Sequence, residues 1–440
     1  MRRIGTLRVL LGVLLLIPQS LEANGRALAL TLKDALRLAK ERNIHLVVAQ
    51  ERVQQSLYRI TQRSADFWPQ LSVAASQKRQ TRDLRSAGIQ LGTSDPKVGP
   101  FNSYDARLQL TQTIFDAGAM ARLRVAWDNQ KLSQAQYRKV EQDVLALVAN
   151  FYLEAKLAAQ KIELSKALLK KDDLNLRLAY RRFDLGVGSA LEKKRARADY
   201  AQSLSMYRSA IAEAMESRLD LLAALGFESG EKIIFADDDK DVMISESDLK
   251  EQINDISLLP EVNAAYEDLQ QKISEQSQEK SEYLPKVSAV ADYGASGVDP
   301  DEASETYTLG LQASLPIFEG GSRGAQVREA ESKVNESEAF WKDTQRTTRA
   351  RIVNARQAIG KMKSILLEKE TALSAAKAEF SLAAQRMSAG LGDQLQVKEL
   401  KANLAVAQDA YNEAQAGYVL AQVELLHALG KMDQLIAGHD

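Results

Sequence analysis

Cysteine is absent from the 440-residue sequence, and histidine occurs only three times. Without cysteine the chain can form no disulfide and can carry no lipid on a cysteine side chain. The histidines, His45, His427 and His439, are scattered, so no spacing typical of a metal site occurs. No set of acids, bases and nucleophiles has catalytic spacing either. The sequence therefore predicts neither an enzyme nor a protein that holds a metal or another cofactor.

An excess of charge of one sign is missing as well. The 58 lysines and arginines are balanced by 59 aspartates and glutamates, for a net charge of −1. A basic field normally attracts nucleic acid, so we expect no such partner. Aromatic residues make up only 6% of the chain, whereas alanine, leucine, glutamine, lysine and glutamate abound. That composition favours long helices over one large compact core.

Long hydrophobic runs are also lacking. Residues 1–23 are typical of a secretory signal, with Arg2 and Arg3 followed by a short apolar run at 9–17 and a cleavage site ending at Ala23. The alternative for this segment is a disordered or core-forming N-terminus. After residue 23 no apolar stretch approaches the ~20 residues that a transmembrane helix needs. We therefore expect an exported protein, in which any membrane insertion uses strands.

Proline is confined to two parts of the chain. Each of the eight prolines lies within residues 1–100 or 260–316. Proline and glycine are both missing from residues 119–185, so this segment predicts one helix about 100 Å long at ~1.5 Å per residue. Residues 322–389 predict a matching helix. Shorter returning helices are expected at 190–225 and 393–429.

Each predicted long helix ends in the same short motif. The first copy is "RRFDLGVGSALE", beginning at Arg181, and the second is "AQRMSAGLGDQL", beginning at Ala384. Both contain Arg-x-x-x-Gly-x-Gly, and the copies are 204 positions apart, since 386 − 182 = 204. Glycine supplies the positive φ needed where a helix reverses, so each motif predicts a hairpin tip. The two helical hairpins are placed at ~117–226 and ~320–429.

Repetition extends through most of the chain. The segment "TIFDAG" from Thr113 matches "PIFEGG" from Pro316, and "LAALG" from Leu222 matches "LHALG" from Leu426. The chain is therefore interpreted as two tandem copies of one unit. The expected order is a first copy at 24–226, a linker forming an equatorial belt at 227–258, a second copy at 259–430, and a C-terminal tail at 431–440.

Each copy also contains two segments in which apolar and polar residues alternate. Tyr104, Ala106 and Leu108, for example, share one face of a predicted strand. Strands of about 10 residues with one apolar face are typical of transmembrane β-barrels. A soluble antiparallel hairpin with one wet face fits the same alternation, but the export signal and the duplication favour the membrane. The predicted strands are ~68–79, ~104–115, ~284–295 and ~305–316.

Four strands are too few to close a barrel. The smallest transmembrane barrels have about 8 strands, and an open strand edge in lipid leaves backbone groups unpaired. The barrel must therefore be shared among chains, with eight strands from a dimer or twelve from a trimer. An eight-stranded barrel is largely filled by its own side chains. The trimer is favoured because small or polar inner positions would leave a lumen, namely Ser72, Ala74, Ser288, Thr308, Gly310 and Ser314.

The chain resembles the TolC family of outer-membrane efflux proteins. The resemblance is carried by the Arg-x-x-x-Gly tips at Arg182 and Arg386, by the "IFDAG" and "IFEGG" strand-to-helix junctions, and by "LTLKDALRLAKERNIHL" near the N-terminus. It implies a mainly α-helical homotrimer with a twelve-stranded barrel in outer-membrane lipid and a twelve-helix periplasmic tunnel. It also implies docking to a periplasmic adaptor protein and an inner-membrane transporter. The implied function is a passive duct for efflux or type I secretion, powered by that transporter.

The resemblance further implies that the tips close the tunnel at its periplasmic end. The paired acids that line this aperture in the family correspond here to Gln396 and Glu399, so one acid is missing. Asp393 can compensate as part of a ring of charge, or can simply cap the returning helix.

The remaining candidate residues lie at the tips themselves. Arg182, Arg386 and Glu192 are candidates for holding the aperture closed, but favourable contacts in a last helical turn would also explain the arginines without any function. A periplasmic structural coiled coil or adhesin with soluble hairpins is the alternative function for the whole chain. The candidates for adaptor docking are Gly186, Val187, Gly188, Gly390, Leu391 and Gly392.

Overall fold

The computed structural model of the chain describes residues 28–83, 88, 97–228, 233–236 and 255–437. The predicted signal sequence and much of the predicted linker lie outside the described residues. In chain order the elements are β1 (Leu28–Leu30), α1 (Leu32–Arg42), α2 (Ile44–Ser64), β2 (Gln70–Asp83), β3 (Lys97–Asp116), α3 (Ala117–Asp184), α4 (Ala190–Ala224), β4 (Ile233–Phe235), α5 (Pro260–Ser281), β5 (Lys286–Gly297), β6 (Ser304–Ser314), α6 (Ser322–Ser388), α7 (Gln394–Ala428) and α8 (Gln434–Ala437).

Two very long helices dominate the molecule. Helix α3 has 68 residues and α6 has 67, so each is about 100 Å long at ~1.5 Å per residue. Helix α3 begins where the Asp116 carboxylate accepts the Ala119 amide hydrogen at 2.9 Å, which satisfies one of the unpaired donors of the first turn. Helix α6 begins after Gly321, whose φ is 85°. The expectation of a mainly helical chain with strand hairpins is confirmed.

The helices pack side by side as four parallel rods. Helix α3 packs against α2 and α5 near the sheet, and against α4 and α7 towards the tips. Helix α6 packs against α5 near the sheet and against α7 towards the tips. The order across the wall is therefore α2 with α4, then α3, then α5 with α7, then α6. One edge of the wall is the rod formed by α2 and α4, and the other edge is α6.

Four strands form one antiparallel sheet in the order β2-β3-β5-β6. The register places apolar residues opposite each other, as in the pairs Val73 with Leu108 and Tyr293 with Tyr307. Because side chains alternate between the faces of a sheet, one face is apolar and the other polar. Both faces and the outer edges of β2 and β6 are uncovered within the described chain.

The ends of the strands differ from the sequence-based prediction. Strands β2 and β3 extend beyond the predicted ~79 and ~104, because their pairing continues through a bulge between Gln80 and Arg82 along polar residues that do not alternate clearly. A second irregularity lies between Thr113 and Phe115. Strand β6 ends at Ser314, two residues before Pro316, which has no amide hydrogen to donate to a partner strand.

The main hydrophobic core lies at mid-height, where the short elements cross the long helices. Leu30, Leu36, Leu145, Tyr152 and Leu221 are fully buried there. The Tyr152 hydroxyl donates to the Leu30 carbonyl at 3.2 Å, and strands β1 and β4 pair in parallel. These contacts anchor both ends of the first copy against α3. None of the described helices has an apolar window long enough to cross a membrane.

Candidate functional site at the helical tips

The first tip joins α3 to α4 through five residues. Gly186 adopts a φ of 74°, which L-residues with a side chain rarely adopt. The amide hydrogens of Val187 and Gly188 both bond to the Arg182 carbonyl, at 3.0 and 2.9 Å. A side chain at Gly188 would come within 2.9 Å of the Arg182 backbone. The Ser189 hydroxyl then accepts the Glu192 amide hydrogen and starts the returning helix.

The second tip, between α6 and α7, repeats this backbone geometry. Gly390 has a φ of 75°, and the Leu391 amide hydrogen bonds to the Arg386 carbonyl at 2.9 Å. A Cβ added to Gly392 would lie 2.7 Å from the Met387 backbone, so only glycine fits there. Asp393 caps α7 by accepting the Leu395 amide hydrogen at 3.1 Å. Asp393 therefore caps the returning helix, as one of its two interpretations predicted. Its other carboxylate oxygen is not used by the cap.

The side chains that close the two tips are different. At the first tip Arg182 Nη1 and Glu192 Oε1 form an ion pair of 3.0 Å across the hairpin. Adding 204 to both positions gives Arg386 and Gln396. The charge partner is thus replaced by a neutral amide, and Arg386 forms no ion pair with any described residue. The same Gln396 that removes an acid from the predicted aperture also removes this cross-hairpin pair.

A second contact strengthens the first tip alone. The Lys193 ammonium lies 4.3 Å from the ring centroid of Tyr180 and 4.6 Å from that of Phe183, within cation–π distance. The matching residues of the second copy are Val397, Ala384 and Met387, which cannot form such a contact. Sequence reasoning missed this cluster. Its signal is a pair of aromatic residues three positions apart at the end of α3, with a lysine shortly after the tip.

The predicted aperture residues lie on the first two turns of α7. Gln396 and Glu399 are three positions apart and therefore share one face of the helix. Both are exposed, as is Asp393, and neither carboxylate forms an ion pair within the described chain. Two carboxylates per chain are therefore available near the second tip. No group of histidine, cysteine or acidic residues in the described ranges is arranged to hold a metal ion.

Apolar side chains project from both tips. Val187 is 69% exposed and Leu391 is 84% exposed, and both belong to the predicted docking set. Leu185 and Leu191, which the sequence-based set omits, are also exposed at the first tip. Exposed apolar residues at the end of a rigid hairpin are typical of a surface that contacts another protein.

The chain is similar in sequence to known outer membrane proteins. The model of the family described as "Outer membrane efflux protein" matches residues 35–227 and 257–431. The alkaline protease secretion protein AprF of Pseudomonas aeruginosa is 24% identical over 429 residues, covering 93% of this chain and 86% of AprF. The outer membrane protein TolC of Vibrio cholerae is 18% identical over 366 residues, covering 79% of this chain and 82% of TolC.

A solved structure has the same fold. The crystal structure of the Campylobacter jejuni CmeC outer membrane channel superposes with a TM-score of 0.74 at 19% sequence identity, covering 91% of this chain and 85% of CmeC.

Proposed function

This chain belongs to the outer membrane efflux protein family, in which TolC is found, and we propose that it forms a trimeric export duct. The family resemblance seen in the tips and junctions is confirmed, and with it the location in the outer membrane. The family is one of efflux proteins, not of enzymes. The proposed duct is passive. It is gated at the helical tips and powered by an inner-membrane transporter.

The observation that carries the proposal is the uncovered four-stranded sheet. On its apolar face Leu309 is 79% exposed and Leu311 78% exposed, and strands β2 and β6 each leave one edge unpaired within the described chain. In lipid, an apolar outward face is favourable but an open strand edge is not. Joining β6 of one chain to β2 of the next satisfies both requirements, and three chains give the twelve strands of a hollow barrel.

The edges of the helical wall support the same assembly. Large apolar side chains are exposed on the two edge rods, for example Ile44 and Val47 on α2 and Phe340 and Val353 on α6. Burying such residues is favourable by roughly 1.5–3 kcal/mol for each large side chain. Contact between the α2 edge of one chain and the α6 edge of the next would bury both sets and close a ring of helices.

The proposed partners follow from the tips. The exposed Val187 and Leu391 offer an apolar contact for a periplasmic adaptor protein, and the duplicated tip gives a trimer six such ends. The adaptor would connect the duct to an inner-membrane transporter, which would supply the energy for export. Outer-membrane lipid is the third proposed partner, on the apolar face of the barrel.

Planar-bilayer conductance of the detergent-purified protein tests this function. We expect small, steady pores that follow the trimer peak on sizing. The matched variants are Leu309→Lys, on the apolar face, and Thr308→Lys, its neighbour on the polar face. A lysine facing lipid costs about 2–4 kcal/mol near the midplane, so only Leu309→Lys should abolish pore formation. A protein that stays soluble without detergent and forms no pores would instead support the periplasmic coiled-coil alternative.

A further inference from the structure

A basic cavity lies between helices α2, α3 and α5, next to the strand-to-helix junction. Its volume is about 290 Å³. We call it the arginine pocket, because three arginines line it, Arg59 and Arg63 of α2 and Arg122 of α3. All three lie within about two helical turns of the sheet ends of their helices.

The lining of the arginine pocket is rich in hydrogen-bond donors. Its other polar members are amides, namely Gln62, Asn129, Gln271 and Gln278, and no carboxylate of a described residue lines the cavity. The Gln271 amide donates to the Asn129 side-chain oxygen at 3.3 Å, which ties α5 to α3 across the pocket. Guanidinium and amide groups together offer many N–H donors, and among these side chains only the amides can also accept. Such a lining suits an anion.

The three arginines contribute differently to the charge of the pocket. Arg122 is held by two carboxylates outside the lining, with Nη1 2.9 Å from Glu282 and Nη2 3.3 Å from Asp116. These bonds orient its guanidinium group but offset its charge. Arg59 and Arg63 are exposed and form no ion pair with any residue that the structure describes. The net positive charge therefore comes from α2.

This positive charge is not a property of the repeated unit. In this region the copies are 216 positions apart, because "FWPQLS" begins at 67 and "YLPKVS" at 283 (283 − 67 = 216). The same offset places Arg59 on Glu275 and Arg63 on Glu279, so both charges are reversed in the second copy. The two glutamates lie near the Lys333 ammonium of α6 and are not part of the pocket lining. The arginines therefore distinguish the first copy, in which they face the cavity.

Contacts at the junction place the pocket on the side of the polar sheet face. Asp116, which bonds to Arg122, is paired in register with Lys286, and Lys286 shares the polar face of β5 with Asp292. Trp127 is 51% exposed and lies about 140° around α3 from Arg122, so it marks the opposite side of the wall. In the proposed trimer the polar face lines the lumen, and three arginine pockets would surround the lumen next to the barrel.

We propose that the arginine pocket binds a tetrahedral oxyanion, either inorganic phosphate or the phosphate group of a larger molecule. Arg59 and Arg63 are four positions apart on one face of α2, where like charges repel, and an anion between them removes that repulsion. Guanidinium groups bind phosphate through paired, charge-assisted hydrogen bonds. Donors from three helices surround the cavity, which suits the four oxygens of phosphate better than the two of a carboxylate. The site lies within one chain, so only its position in a lumen rests on the proposed function.

Isothermal titration of the full-length protein, in a neutral detergent at low ionic strength, tests this site. The titrants are sodium phosphate, phenyl phosphate and, as the reference, sodium chloride at the same ionic strength. The test variant is Arg59→Gln/Arg63→Gln. The control variant, Arg124→Gln/Arg138→Gln, removes the same charge from exposed positions of α3 outside the pocket. We expect saturable phosphate binding that the test variant weakens about tenfold or more, whereas the control changes it less than about twofold.

The two phosphate titrants distinguish the sources of the anion. Binding of phosphate alone would support a site for the free ion, and binding of both would support a site for a phosphate group of a larger molecule. Heats that match sodium chloride, or an equal loss in both variants, would overturn the proposal, because the arginines would then be solvated surface charges.

Pore conductance of the same preparations is a separate measurement. Pores together with no phosphate binding would contradict only the oxyanion site. Phosphate binding without pores would contradict only the proposed duct.

Discussion

The two hairpin tips have nearly the same backbone but are held by different side chains. Both reverse through a glycine with a φ near 75° and start the next helix with a polar cap. The first tip adds the Arg182–Glu192 ion pair and the cation–π contacts of Lys193. The second tip has neither, because Gln396 replaces the glutamate and Val397 replaces the lysine. The duplicated chain thus keeps the turn in both copies, while a few side chains determine how firmly each turn holds its helices together. We expect the second tip to be the more easily opened of the two.

The largest effect is expected where the shared turn itself is broken. Gly390→Pro forces φ to about −65° at a position that requires a positive value, so the second tip cannot form and export should be abolished. Gly390→Ala is the matched variant, since a Cβ at this position meets no neighbouring atom and only the backbone strain remains. An export assay with both variants, and a sizing run to verify the trimer, checks this. Normal export by the proline variant, with trimer intact, would contradict the role of the tip.

A smaller effect is expected when the second tip is given the ion pair of the first. Gln396→Glu places a carboxylate opposite Arg386, in the arrangement that Glu192 has with Arg182. An exposed pair contributes about 0.2–1 kcal/mol, so the open-to-closed ratio of single pores should fall by up to about fivefold. Gln396→Ala is the control and should leave the ratio near the wild-type value. A drop of the same size in both variants would mean that the glutamine amide, and not the missing charge, matters.

The reverse change at the first tip should be smaller still. Glu192→Gln removes the ion pair but leaves the Lys193 contact with Tyr180 and Phe183, so part of the closure remains. Amide hydrogen exchange over residues 180–193 should increase slightly, and more in the double variant with Lys193→Met. Exchange at the second tip is the internal reference. If the first tip of the wild type already exchanges faster than the second, the comparison between the tips is wrong.

The smallest effect concerns the pH dependence of stability at Asp409, on α7. Burial, and then the nearby Glu413 carboxylate, raises the pKa of Asp409, while Lys161 opposes the rise. A raised carboxyl pKa means that the folded state holds the proton more tightly, so this residue's contribution favours folding at low pH and is lost as the pH rises through the folded pKa. Asp409→Asn should therefore raise Tm slightly at neutral pH, and the difference should shrink on acidification. Glu413→Gln should act in the same direction but less; a Tm gain that persists unchanged at low pH would contradict this origin.

Much of the architecture can be predicted from local sequence. The absence of proline and glycine between residues 119 and 185 predicted one helix, and α3 spans Ala117–Asp184. Alternation around Leu108 predicted a strand, and the register pairs it with Val73 and Tyr293. These features depend on neighbours in sequence, through helix propensity and the two-residue period of a strand. The extension of β2 and β3 through polar residues was missed because pairing partners, not propensity, sustain it.

Some of the candidate functional residues were likewise predicted from local sequence, and others were missed. The tips were visible from their glycines, and the cap at Asp393 from its position before a helix. The Arg182–Glu192 pair was not singled out as a contact, because two exposed residues ten positions apart meet only once the turn has formed. The cavity that Lys170, Lys377 and Lys401 share was missed for a stronger reason. Lys170 of α3 lies more than 200 residues from Lys377 of α6 and Lys401 of α7 in sequence, and no local pattern distinguishes these residues from other surface lysines.

By itself, the sequence determined the duplicated unit, the long helices, the position of each tip and the two-faced strands. All of these follow from backbone constraints and periodicity within short segments. Tertiary structure alone decided the order of the four rods, the edges left open for other copies, and the Arg182–Glu192 ion pair between α3 and α4. Those features depend on which helices pack together. Packing brings distant side chains within a few ångströms, where charge and apolar surface act jointly.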